Sequence, residues 1–238
     1  MPTWWKAGAV SARLAFRIAI VAALAAKLMI APPSSPPSVR FRLRDATAEA
    51  HRKLEATMAL AQRCADRASY RMLLADMFGI YAPLEAALAA VAWDDLGLDF
   101  SKRAKTPWLR ADLMALGLST RDIAALPRTQ HLPAIQCPAD GFGVFYVLEG
   151  ASLGGQLILR QIKPVLGVTE SAGARFFASY GADVGEYWRS FTAAMAVYGE
   201  SEERAQAMER AALATFECFQ HWMNERAPRV TESAAHVR

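Results

Sequence analysis

The sequence has almost none of the signals that mark a β-strand. Runs of Val, Ile and Thr at period two are nearly absent, so there is little from which to build a sheet. Cysteine is scarce. Cys64, Cys137 and Cys218 lie far apart and match neither zinc-site spacing nor a disulfide framework. A reducing compartment, the cytoplasm, is the expectation. No G-x-G-x-x-G fingerprint occurs, which argues against a flavin or dinucleotide site of that kind. No E-x-x-H pair occurs either; Glu49–His51 and Glu217–His221 have the wrong spacing. That excludes the carboxylate-bridged di-iron bundle. Acid is missing from residues 1–44, which carry Lys6, Arg13, Arg17, Lys27, Arg40, Arg42 and Arg44. Without these seven, 20 basic residues face 23 acidic ones. The net charge of +4 therefore belongs to the first residues, and the body of the chain is not a basic nucleic-acid binder.

What the chain does have is apolar mass: 238 residues, 53 % hydrophobic, much of it Ala and Leu. This predicts one packed, helical domain rather than disorder. Residues 8–31 are apolar but interrupted by Arg13, Arg17 and Lys27. The longest clean run, Ile18 to Ala26, is too short to cross about 30 Å of hydrocarbon as a helix. Three readings stand open for this segment. One is an export signal with a poor cleavage site at Ala23-Leu24-Ala25. Another is a basic amphipathic membrane anchor helped by Trp4 and Trp5. The third is a segment outside the fold, with translation starting near Met29. Ala31 to Ser38, "APPSSPPS", reads as a linker, because its prolines cannot continue a helix. Residues 1–38 are thus expected outside the fold, the domain over 39–228, and a frayed tail over 229–238.

Within the domain, helices are expected over Leu43–Cys64 and over Asp66–Trp93, with Asp66 and Ser69 as starting caps. A shorter one starts at Thr106 with Pro107 in its first position, and another at Ser119 with Asp122 three residues on. Arg128–Asp140 reads as a loop. Gly141–Ile162, Thr169–Tyr180, Asp183–Val197 and Ser201–Arg226 complete the set. There is no internal repeat, and the architecture is a single all-α multi-helix bundle.

Two stretches stand out. In "LRDATAEAHRKLEATM", Leu43 to Met58, a helix places His51 among Leu, Ala, Thr and Met. Thr47, His51 and Glu55 are four residues apart and stack on one face. A metal-binding imidazole commonly donates from its second nitrogen to a carboxylate, and Glu55 is placed for that. A lone histidine on such a face is otherwise a core residue. In "FYVLEGASLGGQLILRQI", Phe145 to Ile162, three glycines interrupt a helical run. Each costs about 0.5–1 kcal/mol relative to alanine. Gly150 and Gly154 share a face that then lacks side chains, suited to close helix packing or to a flat ligand. Taken together, a histidine face and a glycine face describe a slot for a planar macrocycle with a central metal, most commonly haem.

On these residues the chain resembles the haem oxygenases. Leu43, Arg44, Asp45, Ala46, Thr47, His51 and Glu55 meet that family's pattern around its proximal histidine. Gly150, Gly154, Gly155 and Gln156 meet its distal G-x-x-x-G-G-Q. "YVLEGASLGG" and "FFASYGADVGEYWRSF" look like the bacterial branch associated with bacteriophytochromes. The resemblance spans about Val39 to Arg226. It implies a haem-oxygenase-like bundle with His51 as iron ligand and Glu55 orienting it. It also implies Gly150, Gly154 and Gly155 on the distal side, and Arg44 and Arg189 near the haem propionates.

The implied reaction opens haem to biliverdin, carbon monoxide and ferrous iron, with haem as substrate and cofactor. O2 is consumed, and electrons come from an external reductase or ferredoxin. A bacteriophytochrome is the implied recipient of biliverdin. Many members carry an aspartate immediately after the first distal glycine. Here Ala151 stands there, followed by Ser152, so the proton route of those members does not carry over; water held by distal backbone carbonyls is the expected substitute. A haem-binding or haem-sensing protein on the same fold is the non-catalytic alternative. The remaining candidates read as structure: Cys64 and Cys218 as small buried hydrophobes, His221 as surface or core partner, and His131 as a loop residue without a partner.

Overall fold

The computed structural model describes residues 38–226. The expectations for the segment before residue 38 and for the tail after Pro228 lie outside the described residues. Among those described there are α-helices and short 3₁₀ turns but no strand, as expected; the isolated bridges at Thr169 close a turn. The α-helices run in order: α1 Val39–Met58, α2 Leu60–Arg63, α3 Arg67–Leu88, α4 Thr106–Ala115, α5 Thr120–Ala124, α6 Pro138–Leu166, α7 Arg175–Ala178, α8 Val184–Tyr198 and α9 Glu202–Arg226.

Several starts follow the sequence signals. Asp66 accepts from the Ala68 and Ser69 amides at 2.8 Å and so caps α3. Ser119 and Asp122 form the expected capping box of α5. Several boundaries depart from expectation: the first helix starts at Val39 and the glycine-bearing one runs on to Leu166, and four further departures have a local cause. The first helix ends at Met58, because Ala59 turns left-handed at φ 45° and re-aims the short α2 before Cys64. The second stops at Leu88 rather than Trp93: the Trp93 indole N–H donates to the Leu88 carbonyl at 2.7 Å and its ring packs on Phe142 and Phe145. The loop gives way to helix at Pro138, not after Asp140. There the Asp140 carboxylate accepts from the Gln136 and Cys137 amides at 3.0 and 3.2 Å, satisfying donors at the helix start. Thr169–Tyr180 is not one helix. Residues 169–173 fold into a tight turn that ends with Gly173 at φ 90°, which no α-helix admits, and only Arg175–Ala178 is helical.

Helix α9 is the spine. It packs most extensively on α6 and next on α1. Gly143 makes the first contact possible: a Cβ there would stand 2.2 Å from the Met208 carbonyl oxygen. Arg42 ties α1 to α9 through Glu202 (2.5 Å) and Glu209 (2.7 Å). From Gly141 to Glu149, α6 is buried on every side, which explains its nearly continuous apolar sequence. Helices α1 and α6 scarcely touch one another, so each lies against the spine with a gap between them.

Candidate functional site

The gap is bounded by residues of four helices. On α1, Leu43 and Thr47 are buried, while His51, one turn further, has a side chain 55 % exposed. It is therefore not a core histidine. Its Nδ1 stands 3.5 Å from Glu55 Oε1 and its ring meets the edge of Phe216 on α9, centroids 5.8 Å apart. No hydrogen-bond partner engages its Nε2 among the described residues. On α6, Tyr146 stacks at an angle on Trp188 of α8, 5.8 Å between centroids. The Tyr146 hydroxyl lies beside Thr47, and burial pushes its pKa up to about 12 against the opposing pull of Arg40 and Arg44. The Thr47–Tyr146 contact joins the two helices; one turn beyond it stand His51 on α1 and Gly150 on α6.

The three distal glycines divide. A Cβ on Gly150 would meet only the Trp188 ring, at 3.9 Å, and one on Gly154 would meet nothing within 4 Å. These two present bare backbone to open space. A Cβ on Gly155 would stand 2.6 Å from the Phe177 carbonyl oxygen. Gly155 therefore serves close packing of α6 on α7, where no larger residue fits. Ala151 is exposed, whereas the Ser152 hydroxyl is buried with no hydrogen-bond partner among the described residues. Arg44 lies at the Tyr146 end of the gap, bonded to Asp45 at 2.8 Å and stacked over Phe41. Arg189 is exposed on α8 beside Trp188, its guanidinium folded over Gly185.

A family model described as Heme oxygenase matches residues 38–225. The chain belongs to the haem oxygenase family. Heme oxygenase PigA of Pseudomonas aeruginosa is 28 % identical over 181 residues, 75 % of this chain and 89 % of that protein. The fold matches a solved haem oxygenase from Neisseria meningitidis with a TM-score of 0.70 at 16 % identity, covering 80 % of this chain and 92 % of the other. It also matches one from the cyanobacterium Synechocystis, solved in complex with heme, with a TM-score of 0.64 at 16 % identity over 79 % of this chain and 92 % of that one. The expected all-α haem oxygenase fold is therefore correct.

For a haem oxygenase, the donor set here fits a porphyrin. An imidazole nitrogen is free, glycine backbone lies bare on α6, and arginines stand at the edge. Two other surface cavities lie apart from His51: one of about 200 Å³ beside Arg103 and Tyr187, and one of about 400 Å³ beside Met72 and Leu118.

Sequence reasoning did not single out Tyr146 and Trp188, which stack on one another beside Thr47, nor the edge contact of the buried Phe216 with His51. It also missed a buried polar cluster around Glu149. A charge inside an apolar helical run was the available signal, since such a charge must find partners. His131 is not without a partner: its ring stands against that of His221, centroids 4.9 Å apart, and Cys218 donates to its carbonyl at 2.8 Å.

Proposed function

We propose that this haem oxygenase cleaves haem to biliverdin, carbon monoxide and ferrous iron, with His51 as the iron ligand. The observation that carries the reading is the exposed imidazole, its Nδ1 near Glu55 and its Nε2 free, on a helix held apart from the bare Gly150–Gly154 backbone. Bound haem supplies the O2 chemistry when external electrons reach it. The chain binds, orients and shields. His51 offers its Nε2, and the Glu55 carboxylate fixes the tautomer and raises the donor strength. Gly150 and Gly154 leave room for a flat ring and whatever binds above it. Arg44 and Arg189 hold the propionates by charge-assisted hydrogen bonds and so choose which edge of the ring faces inward. The Ser152 hydroxyl and neighbouring backbone carbonyls hold ordered water on the distal side, standing in for the acid that Ala151 lacks. Electrons come from a separate reductase or ferredoxin, and a bacteriophytochrome receives the biliverdin.

The exposed Ala151 favours a second reading, haem binding without turnover. One experiment addresses both. Haem is added to wild type and His51→Ala, spectra are recorded, and an electron donor is then supplied in air. A histidine-ligated Soret band in wild type alone, followed by its decay and the rise of bilin absorbance, supports the proposal. A band that persists with no bilin supports binding alone. Identical spectra for the two proteins remove His51 as the ligand.

A further inference from the structure

A carboxylate inside a helix as apolar as α6 requires an account. Glu149 is 2 % exposed and immediately precedes Gly150. Its Oε1 accepts from Lys105 Nζ and from the Tyr180 hydroxyl, both at 2.6 Å, and its Oε2 from Arg103 Nη1 at 2.7 Å. Lys105 and Arg103 are themselves buried, at 2 % and 5 % exposure. Arg103 continues to α8, donating to the Tyr187 carbonyl at 3.1 Å and to Ser190 Oγ at 2.7 Å. Tyr180 stacks flat on Tyr187, 3.9 Å between centroids. Beyond the glycines, Gln156 Nε2 donates to the carbonyls of Ala178 and Gly181. The stretch from Glu149 to Gln156 is therefore fastened at both ends to the segment that leads into α8. Between the fastenings, Gly150 and Gly154 have almost nothing to lean on.

Buried ion clusters rarely add net stability over an apolar packing of the same shape. What this one adds is direction, because three donors from two chain segments fix one carboxylate in position and rotation. We propose that Glu149 is a positioning residue: with Arg103, Lys105 and Tyr180 it locks the glycine-bearing stretch of α6 against α8 and so sets the width of the gap beside His51. The link to haem rests on the function proposed above; the lock itself does not.

The test compares wild type, Glu149→Gln, Tyr180→Phe and a control, Asp76→Asn. Asp76 is also buried, at 5 % exposure, and paired with Arg63 and Arg226, but it belongs to a separate cluster on α3. Amide hydrogen exchange on the haem-free proteins reads the lock. Glu149→Gln should speed exchange in residues 150–156 about tenfold, and Tyr180→Phe, which removes one of the three donors to Glu149 together with the acceptor facing Lys105 Nζ, about threefold. Asp76→Asn should lower the melting temperature without loosening that stretch. Unchanged exchange there in both site variants, or equal loosening in the control, overturns the proposal. In the ferric haem complexes, the Soret maximum should move in Glu149→Gln and stay fixed in Asp76→Asn; the same maximum in both overturns the link to the gap. A wild type that shows the exchange pattern but no histidine-ligated haem overturns the proposed function and leaves the lock standing.

Discussion

Glu55 Oε1 stands 3.5 Å from His51 Nδ1, one turn along the same helix, and among the described residues no other polar partner competes for that imidazole. The carboxylate is 40 % exposed, so its influence is screened by water. Glu55→Gln keeps the spacing and removes the charge. We expect haem still to bind, with affinity lowered up to about tenfold, the low end for losing a carboxylate behind a ligand histidine. A haem titration of the variant against wild type measures this. An unchanged affinity would mean that Glu55 only solubilises the helix.

Much of this arrangement was legible in the sequence, and the reason is periodicity. His51, Glu55, Gly150 and Gly154 lie on single helices, where a spacing of four fixes the face. The caps at Asp66 and Ser119 were legible because they are local hydrogen bonds between near neighbours. Contacts between distant segments were not legible. Nothing in the sequence pairs Glu149 with Lys105, or places Phe177 against Gly155. The stretch 169–174 misled because its fold depends on Gly173 and on a cap supplied by Asp112, some sixty residues away. The break at Ala59 had no signal, since alanine is a strong helix former held in a left-handed conformation by its surroundings.

Gly154 and Gly155 are neighbours in sequence and should respond to alanine with opposite signs. At Gly154 a methyl enters open space in mid-helix, so Gly154→Ala should stabilise the haem-free protein by about 0.5–1 kcal/mol. At Gly155 the same methyl collides with the Phe177 backbone, so Gly155→Ala should destabilise by about 1–3 kcal/mol. Denaturant unfolding of both variants checks the pair. Gly154→Leu should then fold normally and lose haem binding, because the side chain fills the gap.

The thiols offer a check on the packing. Cys64 and Cys218 are buried, and burial pushes their pKa values up to about 12 and about 11. Cys137 is exposed at the start of α6. A thiol reagent at pH 8 should therefore modify one cysteine quickly in the native protein and the other two only on unfolding. Rapid modification of all three would show that the α3 and α9 packing around Cys64 and Cys218 opens readily.

Asp112 makes stability depend on pH in an unusual direction. It is 1 % exposed, and its carboxylate accepts from the Arg175 and Phe176 amides, both at 2.8 Å, to cap α7. Burial raises its pKa from 3.8 to about 6, while those amides and the Arg175 charge oppose the rise. A carboxyl with a raised native pKa holds its proton more tightly folded than unfolded. Its contribution is then fully present below about pH 4 and is lost as pH rises through 6. Relative to Asp112→Asn, which cannot ionise, wild type should lose roughly 2–3 kcal/mol of unfolding free energy between pH 4 and 7. Parallel denaturation curves for the two proteins at several pH values give the difference directly. A wild type that gains on the variant as pH rises would mean that the two amides outweigh desolvation, and that Asp112 is held as an anion by its cap.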